Sequence, residues 1–504
     1  MWLLFLILVV GLVFFFSPIS FRIRKNIFLT NYSGPIKEIP DNFLWGCATA
    51  AQQIESQTPT DWTIFEKKCY AEKKFESLGA GKPKAGHIHR LGDYPLVVRQ
   101  KKTNFDELYP QDLTLARKYG QNSYRFSLDW ARLFPKKGMK KPSSQGLDYY
   151  HKILEVCKKN KLTVSATLFH FATPAWFWEE LDGKRGWERN DALELFAQFV
   201  EAVAVNYLGD IRHFCTLNEP IVYLYQGYLE GVFPPLERRG DPQKLAPLVV
   251  RMLEAHKVAY HILKSYGERR NIPIEVGFTQ HMRRFEPYRN WHALDRFSAK
   301  AVEQVFEWDF CDALKTGVYH MHMSGFQQEI PGLKDTWDYL GINYYGRFYV
   351  KTNLLKPFAF EVLPHDVRNK RERKSELGWA IYPHGFYLIL KEAYERYKKP
   401  IYILENGVAD SADDDKLRQS FLVEHIREMQ LAMQEGVDVR GYFHWSLIDN
   451  FEWAEGFEAR FGLVKVDYMN NFKRIARKSL QVYKKIIQEK GVSQELFQYY
   501  SQQG

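Results

Sequence analysis

The 504-residue chain is long enough for two or three average domains, although a single α/β barrel with loop insertions also reaches this length. Its formal net charge of +10 is spread over scattered Lys and Arg residues without a nucleic-acid-binding motif, which favours a solvated basic surface. The five cysteines form no CxxC pair and argue against a disulfide framework or a zinc site. Of these, Cys47, Cys157 and Cys215 lie in apolar surroundings and are predicted to be buried thiols. We therefore expect no nucleic-acid partner, no metal and no cofactor.

An apolar segment opens the chain. Residues 1–21 are almost entirely apolar and approach the length of about twenty residues that a membrane-spanning helix needs. Arg22, Arg24 and Lys25 follow this segment and no basic side chain precedes it, which predicts an uncleaved anchor with the rest of the chain facing the cytoplasm. Secretion after signal-peptide cleavage remains the alternative, since only three charges set the orientation. Residues 22–41 are predicted to be a tether.

From residue 42 onward, short β-rich runs alternate with amphipathic segments. One such segment, residues 191–205, repeats apolar side chains at helical spacing. Eight strands separated by helices imply a parallel sheet that can close on itself. We therefore predict a single (β/α)8 TIM barrel with loop insertions over residues 42–490, followed by a polar tail over residues 491–504. The predicted strands are residues 43–48, 123–128, 163–169, 211–217, 275–279, 339–343, 401–404 and 441–445.

Two of these predicted strands end at a glutamate. Glu219 lies in the motif Thr-Leu-Asn-Glu-Pro, and Glu405 lies in Ile-Leu-Glu-Asn-Gly. Pro220 stops strand pairing, so the chain must turn directly after Glu219. A single strand-end glutamate could simply cap the next helix. Two of them at the carboxyl ends of barrel strands favour a shared carboxylate pair, which is what cleavage of a glycosidic bond requires.

The segment from residue 441 to residue 453 combines aromatic and acidic residues. Trp445 could supply a flat face for a sugar ring, and Glu452 could accept hydrogen bonds from sugar hydroxyls. A Trp-rich core with a solvated glutamate explains the same residues equally well. The sequence of this segment leaves both interpretations open.

Further motifs accompany these along the chain. In chain order the set is FLWGCATAAQQIE at 43–55, YRFSLDWAR at 124–132, the lone His170, TLNEP at 216–220, GINYY at 341–345, ILENG at 403–407, the stretch 441–456, and RFGLV at 460–464. Taken together, these motifs resemble those of glycoside hydrolase family 1, the β-glucosidase family. The resemblance extends from residue 43 to about residue 468 and implies a barrel enzyme acting on a small-molecule glycoside.

The resemblance also implies roles for individual residues. Glu219 would be the acid/base and Glu405 the nucleophile of a retaining β-glycosidase. The residues expected to bind the sugar are Gln53, His170, Asn218 and Glu452 at its hydroxyls, Trp445 as a platform, Trp453 as a further contact and Phe461 as a wall. The residues expected to support Glu405 are Arg125 and Tyr345, with Asn343 nearby.

Electrostatics gives this pair a consistent mechanism. In a retaining site the two carboxyl groups lie ~5 Å apart. The charge of Glu405 is then expected to raise the pKa of Glu219, while Arg125 favours ionised Glu405. Once a sugar esterifies Glu405, the pKa of Glu219 falls and Glu219 can deprotonate water.

Departures from the family pattern concern the substrate. Glu452, followed by Trp453 and Ala454, would repel the phosphate of a 6-phosphosugar, so we expect a non-phosphorylated sugar. Residues 67–108 match poorly and are expected to shape the aglycone entrance. A transglycosidase using a lipid or alcohol acceptor and a catalytically silent glycan-binding relative remain alternatives, and the oligomeric state stays open.

Overall fold

The computed structural model describes residues 36–72, 94–356 and 358–501. The predicted anchor, and the tether as far as residue 35, lie outside these ranges. From Glu38 onward the described chain forms one compact unit. Within the described ranges, none of the helices has both the length and the apolar character that crossing a bilayer requires.

Eight parallel strands close into a barrel. Counting all strands in chain order, the barrel is formed by β1 to β5, β8, β10 and β11, which pair in the order β10-β11-β1-β2-β3-β4-β5-β8, and the β8–β10 pairing closes the ring. This confirms the predicted TIM barrel. The strands are β1 Leu44–Ala48, β2 Ser123–Ser127, β3 Thr163–Phe169, β4 His213–Asn218, β5 Glu275–Pro287, β6 Val318–Met321, β7 Phe326–Glu329, β8 Tyr339–Thr352, β9 Phe360–Leu363, β10 Ile401–Asn406, β11 Val439–Trp445, β12 Val464–Asp467 and β13 Lys473–Ala476.

Helices fill the connections and cover the barrel. The segment predicted as residues 191–205 forms the helix Ala192–Tyr207, and its face with Phe196, Phe199, Val200 and Val203 is fully buried. The α-helices are Ala51–Ile54, Asp61–Glu72, Leu96–Lys101, Phe105–Lys118, Trp130–Leu133, Ser144–Lys159, Ala192–Tyr207, Pro220–Leu224, Ala246–Arg269, Ala293–Glu303, Asp309–Thr316, Pro383–Tyr397, Lys416–Gln434, Lys478–Gln488 and Gln494–Ser501. Short 3-10 turns lie at Ala175–Trp178, Gly186–Glu188, Pro242–Leu245 and Trp453–Glu455, and π-helical turns at Tyr225–Leu229 and Gln304–Trp308.

Two strands run well past their predicted ends. Strands β5 and β8 were expected to stop at residues 279 and 343, yet they stay paired as far as Pro287 and Val350. Strand β9 then adds to β8 in the antiparallel direction. This extension of β5, β8 and β9 projects beyond the carboxyl ends of the barrel strands, on the side where the two predicted glutamates lie.

The described part of the predicted polar tail includes a helix. The helix Gln494–Ser501 packs on the rest of the fold, and Val492 and Leu496 are buried. The amide of Val492 donates to the side chain of Gln430, and Arg427 lies 4.3 Å from the ring centre of Phe497. The helix buries only a narrow apolar face, so its composition is mostly polar.

Aromatic residues and thiols mainly build the core. Trp130 lies at the centre of a ring cluster, stacked on Phe199 and close to Trp187 and Phe196. The three thiols predicted to be buried, Cys47, Cys157 and Cys215, are buried and unpaired. Many aromatic residues of the described chain therefore serve packing.

Candidate active site

Glu219 follows β4 directly and turns into the cavity. Its φ of +46° is left-handed, a conformation that costs a non-glycine residue about 1–2 kcal/mol. It occupies the N-cap position of the helix Pro220–Leu224 but its side chain makes no capping hydrogen bond. Instead its Oε1 accepts a hydrogen bond of 2.5 Å from Asn343 Nδ2. The helix-cap interpretation of this glutamate is therefore excluded.

Glu405 lies near the end of β10, one residue beyond the predicted end of this strand. The pairing register shifts between Ile403 and Glu405, and such irregularities re-aim side chains at strand ends. Arg125 Nη1 donates to Glu405 Oε1 at 2.6 Å, and Tyr345 Oη donates to Oε2 at 2.7 Å. Position 407 requires glycine because a Cβ there would collide with the backbone carbonyl oxygen of Trp445. Both carboxylate oxygens of Glu405 are thus held by strong donors.

A chain of hydrogen bonds joins the two glutamates. Arg125, fully buried on β2, also donates from Nη2 to Asn218 Oδ1 at 2.7 Å. Asn343 Nδ2 lies 3.2 Å from the same Asn218 oxygen and bonds Glu219 as well. The two glutamates, Arg125, Asn218 and Asn343 are therefore positioned as one unit, contributed by the four strands β2, β4, β8 and β10 and the residue that follows β4.

The end of the cavity near His170 and Glu452 contains polar atoms without hydrogen-bond partners within the described ranges. Asn218 Nδ2 donates to His170 Nε2 at 3.1 Å, and the other ring nitrogen of His170 is buried without a hydrogen bond among the described residues. Gln53 Nε2 and Trp445 Nε1 both lie 3.3 Å from Glu452 Oε2. Gln53 Oε1 is likewise buried and unpaired. Such groups are costly to bury unless a ligand satisfies them.

One cavity of about 300 Å³ brings most of the predicted site residues together. Three predicted residues do not line the cavity themselves: Arg125, Asn343 and Gln53. Each donates a hydrogen bond to a glutamate that does line it. Trp453 lies 5.8 Å from the His170 ring, and Phe461 lies 6.1 Å from the Tyr345 ring. The predicted residues that line the cavity are His170, Asn218, Glu219, Tyr345, Glu405, Trp445, Glu452, Trp453 and Phe461.

Two site residues were missed by the sequence analysis. His281 Nδ1 lies 3.1 Å from Glu219 Oε1, and Arg283 Nε donates to His281 Nε2 at 2.6 Å. The Arg283 guanidinium is buried 4.1 Å from the Phe348 ring and 4.5 Å from the Trp379 ring. Their spacing of two residues along β5 was the available signal, since it places both side chains on one face of a strand.

The pKa values of the pair are shifted in directions that the sequence did not predict. Burial raises the pKa of Glu405 to about 7, although Arg125 opposes this, and the charge of Glu219 raises it further. Burial also raises the pKa of Glu219, but His281, Asn343 and Arg283 outweigh it, so the net pKa is lowered. The expected increase for Glu219 is therefore wrong for the free protein, because positive charge on β5 was not foreseen.

Two neighbouring groups are also shifted by their surroundings. Burial holds the pKa of His170 well below its usual value, and Arg125 adds to this effect. The imidazole is therefore neutral. Burial raises the pKa of Glu452 to about 8, opposed by Trp445 and reinforced by Glu405. Both residues can present uncharged hydrogen-bonding groups to a ligand near neutral pH.

The predicted contribution of residues 67–108 to the entrance is wrong for their described parts. Neither residues 67 and 68 nor residues 94–108 line this cavity. Its outer walls come instead from the segment after β4 and from the β5, β8 and β9 extension. The extension was not predicted, and residues 73–93 of the earlier segment lie outside the described ranges.

A closed parallel barrel with two buried glutamates facing one aromatic cavity is the arrangement expected of a glycosidase. The sequence comparison agrees. Residues 36–492 match the model of glycosyl hydrolase family 1, so the chain belongs to this family and is a glycosidic hydrolase.

Individual relatives extend over nearly the whole chain. Beta-glucosidase A of Thermotoga maritima is 29% identical over 473 residues, covering 91% of this chain and 99% of the relative. A beta-galactosidase of Pyrococcus woesei is 27% identical, covering 91% of this chain and 98% of the relative. The solved beta-glycosidase of Pyrococcus horikoshii has a TM-score of 0.77 and 34% identity, covering 93% of this chain and 99% of that one.

Proposed function

We propose that this chain is a retaining glycosidase that cleaves non-phosphorylated β-glucosides or related β-glycosides, with Glu405 as nucleophile and Glu219 as acid/base. The observation that carries the proposal is the asymmetry of the pair. Glu405 receives a guanidinium and a phenol, one on each oxygen, whereas Glu219 contacts an amide and an imidazole. Strong donors on both oxygens favour an ionised, oriented carboxylate, as a nucleophile requires.

In the first step, Glu405 attacks the anomeric carbon and forms an ester bond to the sugar. The bond from that carbon to the aglycone oxygen breaks, and the proton of Glu219 moves to this oxygen. The productive form has the proton on Glu219. A glycosidic oxygen placed against Glu219 accepts a hydrogen bond from its protonated form and so favours it.

In the second step, water attacks the same carbon, its proton moves to Glu219, and the ester bond to Glu405 breaks. Glu219 must be ionised at this stage. His281, backed by Arg283, stabilises the ionised form just when the charge of Glu405 has been lost to the ester. The two β5 residues thus support the base role of Glu219 more than its acid role.

The sugar would occupy the end of the cavity with unpaired polar atoms. His170, Asn218 and Gln53, together with Glu452, would bind its hydroxyls, and Trp445 would lie under the ring with Trp453 and Phe461 as further walls. Glu452 would repel a phosphorylated sugar once it is anionic, above pH about 8, and below that pH its neutral carboxyl offers a phosphate no counter-charge. Which neutral sugar binds best is decided by these same contacts.

Residues 1–21 are proposed to attach the catalytic barrel to a membrane, with the barrel on the cytoplasmic side. The apolar run and the three basic residues that follow it support this proposal. Protease treatment of intact and of permeabilised cells tests it. Digestion of the barrel in intact cells would contradict the cytoplasmic placement.

A panel of aryl β-glucoside, β-galactoside, β-mannoside and 6-phospho-β-glucoside tests the catalytic proposal. We expect release of the aryl group from at least one neutral glycoside and its loss in Glu405→Ala. Glu424→Ala is the matched control, since Glu424 lies outside the cavity and pairs with Arg373. Activity that survives in Glu405→Ala, or activity confined to the phosphosugar, would refute the proposal.

A further inference from the structure

Beyond the two glutamates the cavity continues between apolar walls. We call this part the apolar channel and define it by the cavity-lining residues of three segments. The segment after β4 contributes Ile221, Val222 and Phe233. The strand β5 and the turn Gln304–Trp308 contribute Phe285, Val305 and Phe306, and the β8–β9 extension contributes Phe348, Phe360 and Val362.

The channel begins at the acid/base side of the site. The His281 ring, which contacts Glu219, lies 5.9 Å from the Phe306 ring. Phe306 in turn lies 5.5 Å from Phe285, and Phe285 lies 6.4 Å from Phe348. An unbroken series of rings therefore leads from Glu219 outward, on the side where an aglycone leaves.

Two flexible side chains extend the channel toward solvent. Met321 is buried and Met323 is 41% exposed, and both line the cavity from the β6 region. Methionine adapts its shape readily to apolar ligands of different outline. The exposed position of Met323 indicates that the channel opens at this end.

A second sugar would fit this channel poorly. Each buried hydroxyl needs a hydrogen-bond partner, and an unpaired one costs about 1–3 kcal/mol. Outside the sugar end, the polar side chains in the described cavity lining are Tyr225, Gln226, Arg283, Tyr319 and Glu455, against a larger number of apolar ones. The Tyr225 hydroxyl is already bonded to Glu230 at 3.0 Å and Arg283 Nε to His281, although Arg283 Nη1 is buried without a partner in the described part of the chain. A hydrocarbon chain, by contrast, loses nothing by leaving water for these walls and gains about 0.8 kcal/mol per methylene, or roughly fourfold in affinity.

We infer that the apolar channel is the aglycone site for an alkyl or acyl chain, so the preferred substrates are β-glycosides with a long hydrocarbon aglycone. This rests on the proposed glycosidase function and specifies its substrate class. The sugar is held by the polar end of the cavity, the glycosidic oxygen lies at Glu219, and the chain runs along the rings from His281 toward Met323.

The test compares methyl, butyl, octyl and dodecyl β-glucosides, and cellobiose. We expect kcat/KM to rise by about two- to fourfold per methylene until the chain leaves the channel, and octyl glucoside to exceed cellobiose by at least about tenfold. A kcat/KM that does not change with chain length, or cellobiose as the better substrate, would overturn the inference.

Variants locate the effect. Val305→Asn and Phe360→Asn place polar groups on two different walls, and Val205→Asn makes the same change on an outer helix, where Val205 is 46% exposed. We expect both channel variants to lower kcat/KM for octyl glucoside about tenfold and to leave methyl glucoside within about twofold. Equal losses on both substrates, or no difference from Val205→Asn, would contradict the assignment.

A binding measurement separates this inference from the proposed function. The S-linked octyl and methyl β-thioglucosides bind without depending on cleavage, and calorimetry gives their dissociation constants. Tighter binding of the octyl compound that is lost in Val305→Asn supports the channel even if no glycoside is cleaved. Cleavage of aryl glucosides without any octyl preference in binding would retain the glycosidase and refute the channel.

Discussion

Tyr345→Phe removes one oxygen atom from the site and tests how Glu405 is kept ionised. The Tyr345 hydroxyl donates to Glu405 Oε2 at 2.7 Å and is buried with it. A hydrogen bond to a charged group contributes about 1.5–3 kcal/mol. At about 1.4 kcal/mol per tenfold, its loss corresponds to a fall in kcat/KM of roughly tenfold to a hundredfold.

The variant also has a defined pH dependence. Burial raises the pKa of Glu405 to about 7, and the Tyr345 hydroxyl is one of the groups that oppose this rise. Without the hydroxyl the pKa rises further, so less Glu405 is ionised at any given pH. Activity that needs ionised Glu405 is lost as the pH falls, and we expect the acidic limb of kcat/KM to move to higher pH.

The assay is the pH profile of kcat/KM for an aryl β-glucoside, with Tyr344→Phe as control. The neighbouring Tyr344 hydroxyl donates to the backbone carbonyl of Tyr382, away from Glu405. We expect the acidic limb of Tyr344→Phe to coincide with that of the unmodified chain. An unmoved limb in Tyr345→Phe, or equal shifts in both variants, would refute the assigned role of Tyr345.

Three further predictions follow from buried charges. His281 opposes the effect of burial and lowers the pKa of Glu219. We therefore expect His281→Ala to raise this pKa and to move the basic limb of kcat/KM to higher pH. An unchanged basic limb in a folded variant would contradict this. Glu452→Gln should bind sugar more weakly yet gain thermal stability over the unmodified chain. The reason is that burial raises the folded-state pKa of Glu452 from 4.5 to about 8, so the unmodified chain loses stability as the pH rises between these values. A difference in Tm that does not grow from pH about 4.5 to about 8 would oppose this explanation. Lys102 and Glu66 form a fully buried ion pair at 2.6 Å, so Lys102→Met leaves the Glu66 carboxylate without its charged partner. We expect the free energy of unfolding, measured in urea, to fall by about 3–5 kcal/mol. A fall below about 1 kcal/mol would contradict this.

The barrel was predictable because its strands are read from local patterns. Short apolar runs such as Thr163–Phe169 are buried on both faces and bounded by turns, which leaves few other assignments. Closure followed from their number and from the intervening helices. The barrel topology and the family resemblance placed Glu219 and Glu405 at one rim. The hydrogen bonds that join them through Arg125, Asn218 and Asn343 could not be obtained from a local pattern.

The extension of β5 and β8 was not predictable in the same way. After residue 279 the strand β5 continues through His281, Met282, Arg283 and Arg284, a polar sequence typical of a surface loop. Arg283 is buried among its strand neighbour His281, Glu307 and the rings of Phe348 and Trp379. All of these except His281 come from other parts of the chain. The pKa directions of the catalytic pair depend on this cluster, so they could not be obtained from the two motifs alone.

The reaction of azide with two variants tests the central claim most directly. In Glu405→Ala, azide enters the space of the missing carboxylate and displaces the aglycone in one step, giving the α-glycosyl azide from a β-glycoside. In Glu219→Ala, azide instead attacks the ester to Glu405 from the opposite face and gives the β-glycosyl azide. NMR of the two products distinguishes them. We predict the α product from Glu405→Ala and the β product from Glu219→Ala; the same configuration from both variants, or the reverse assignment, would contradict the account.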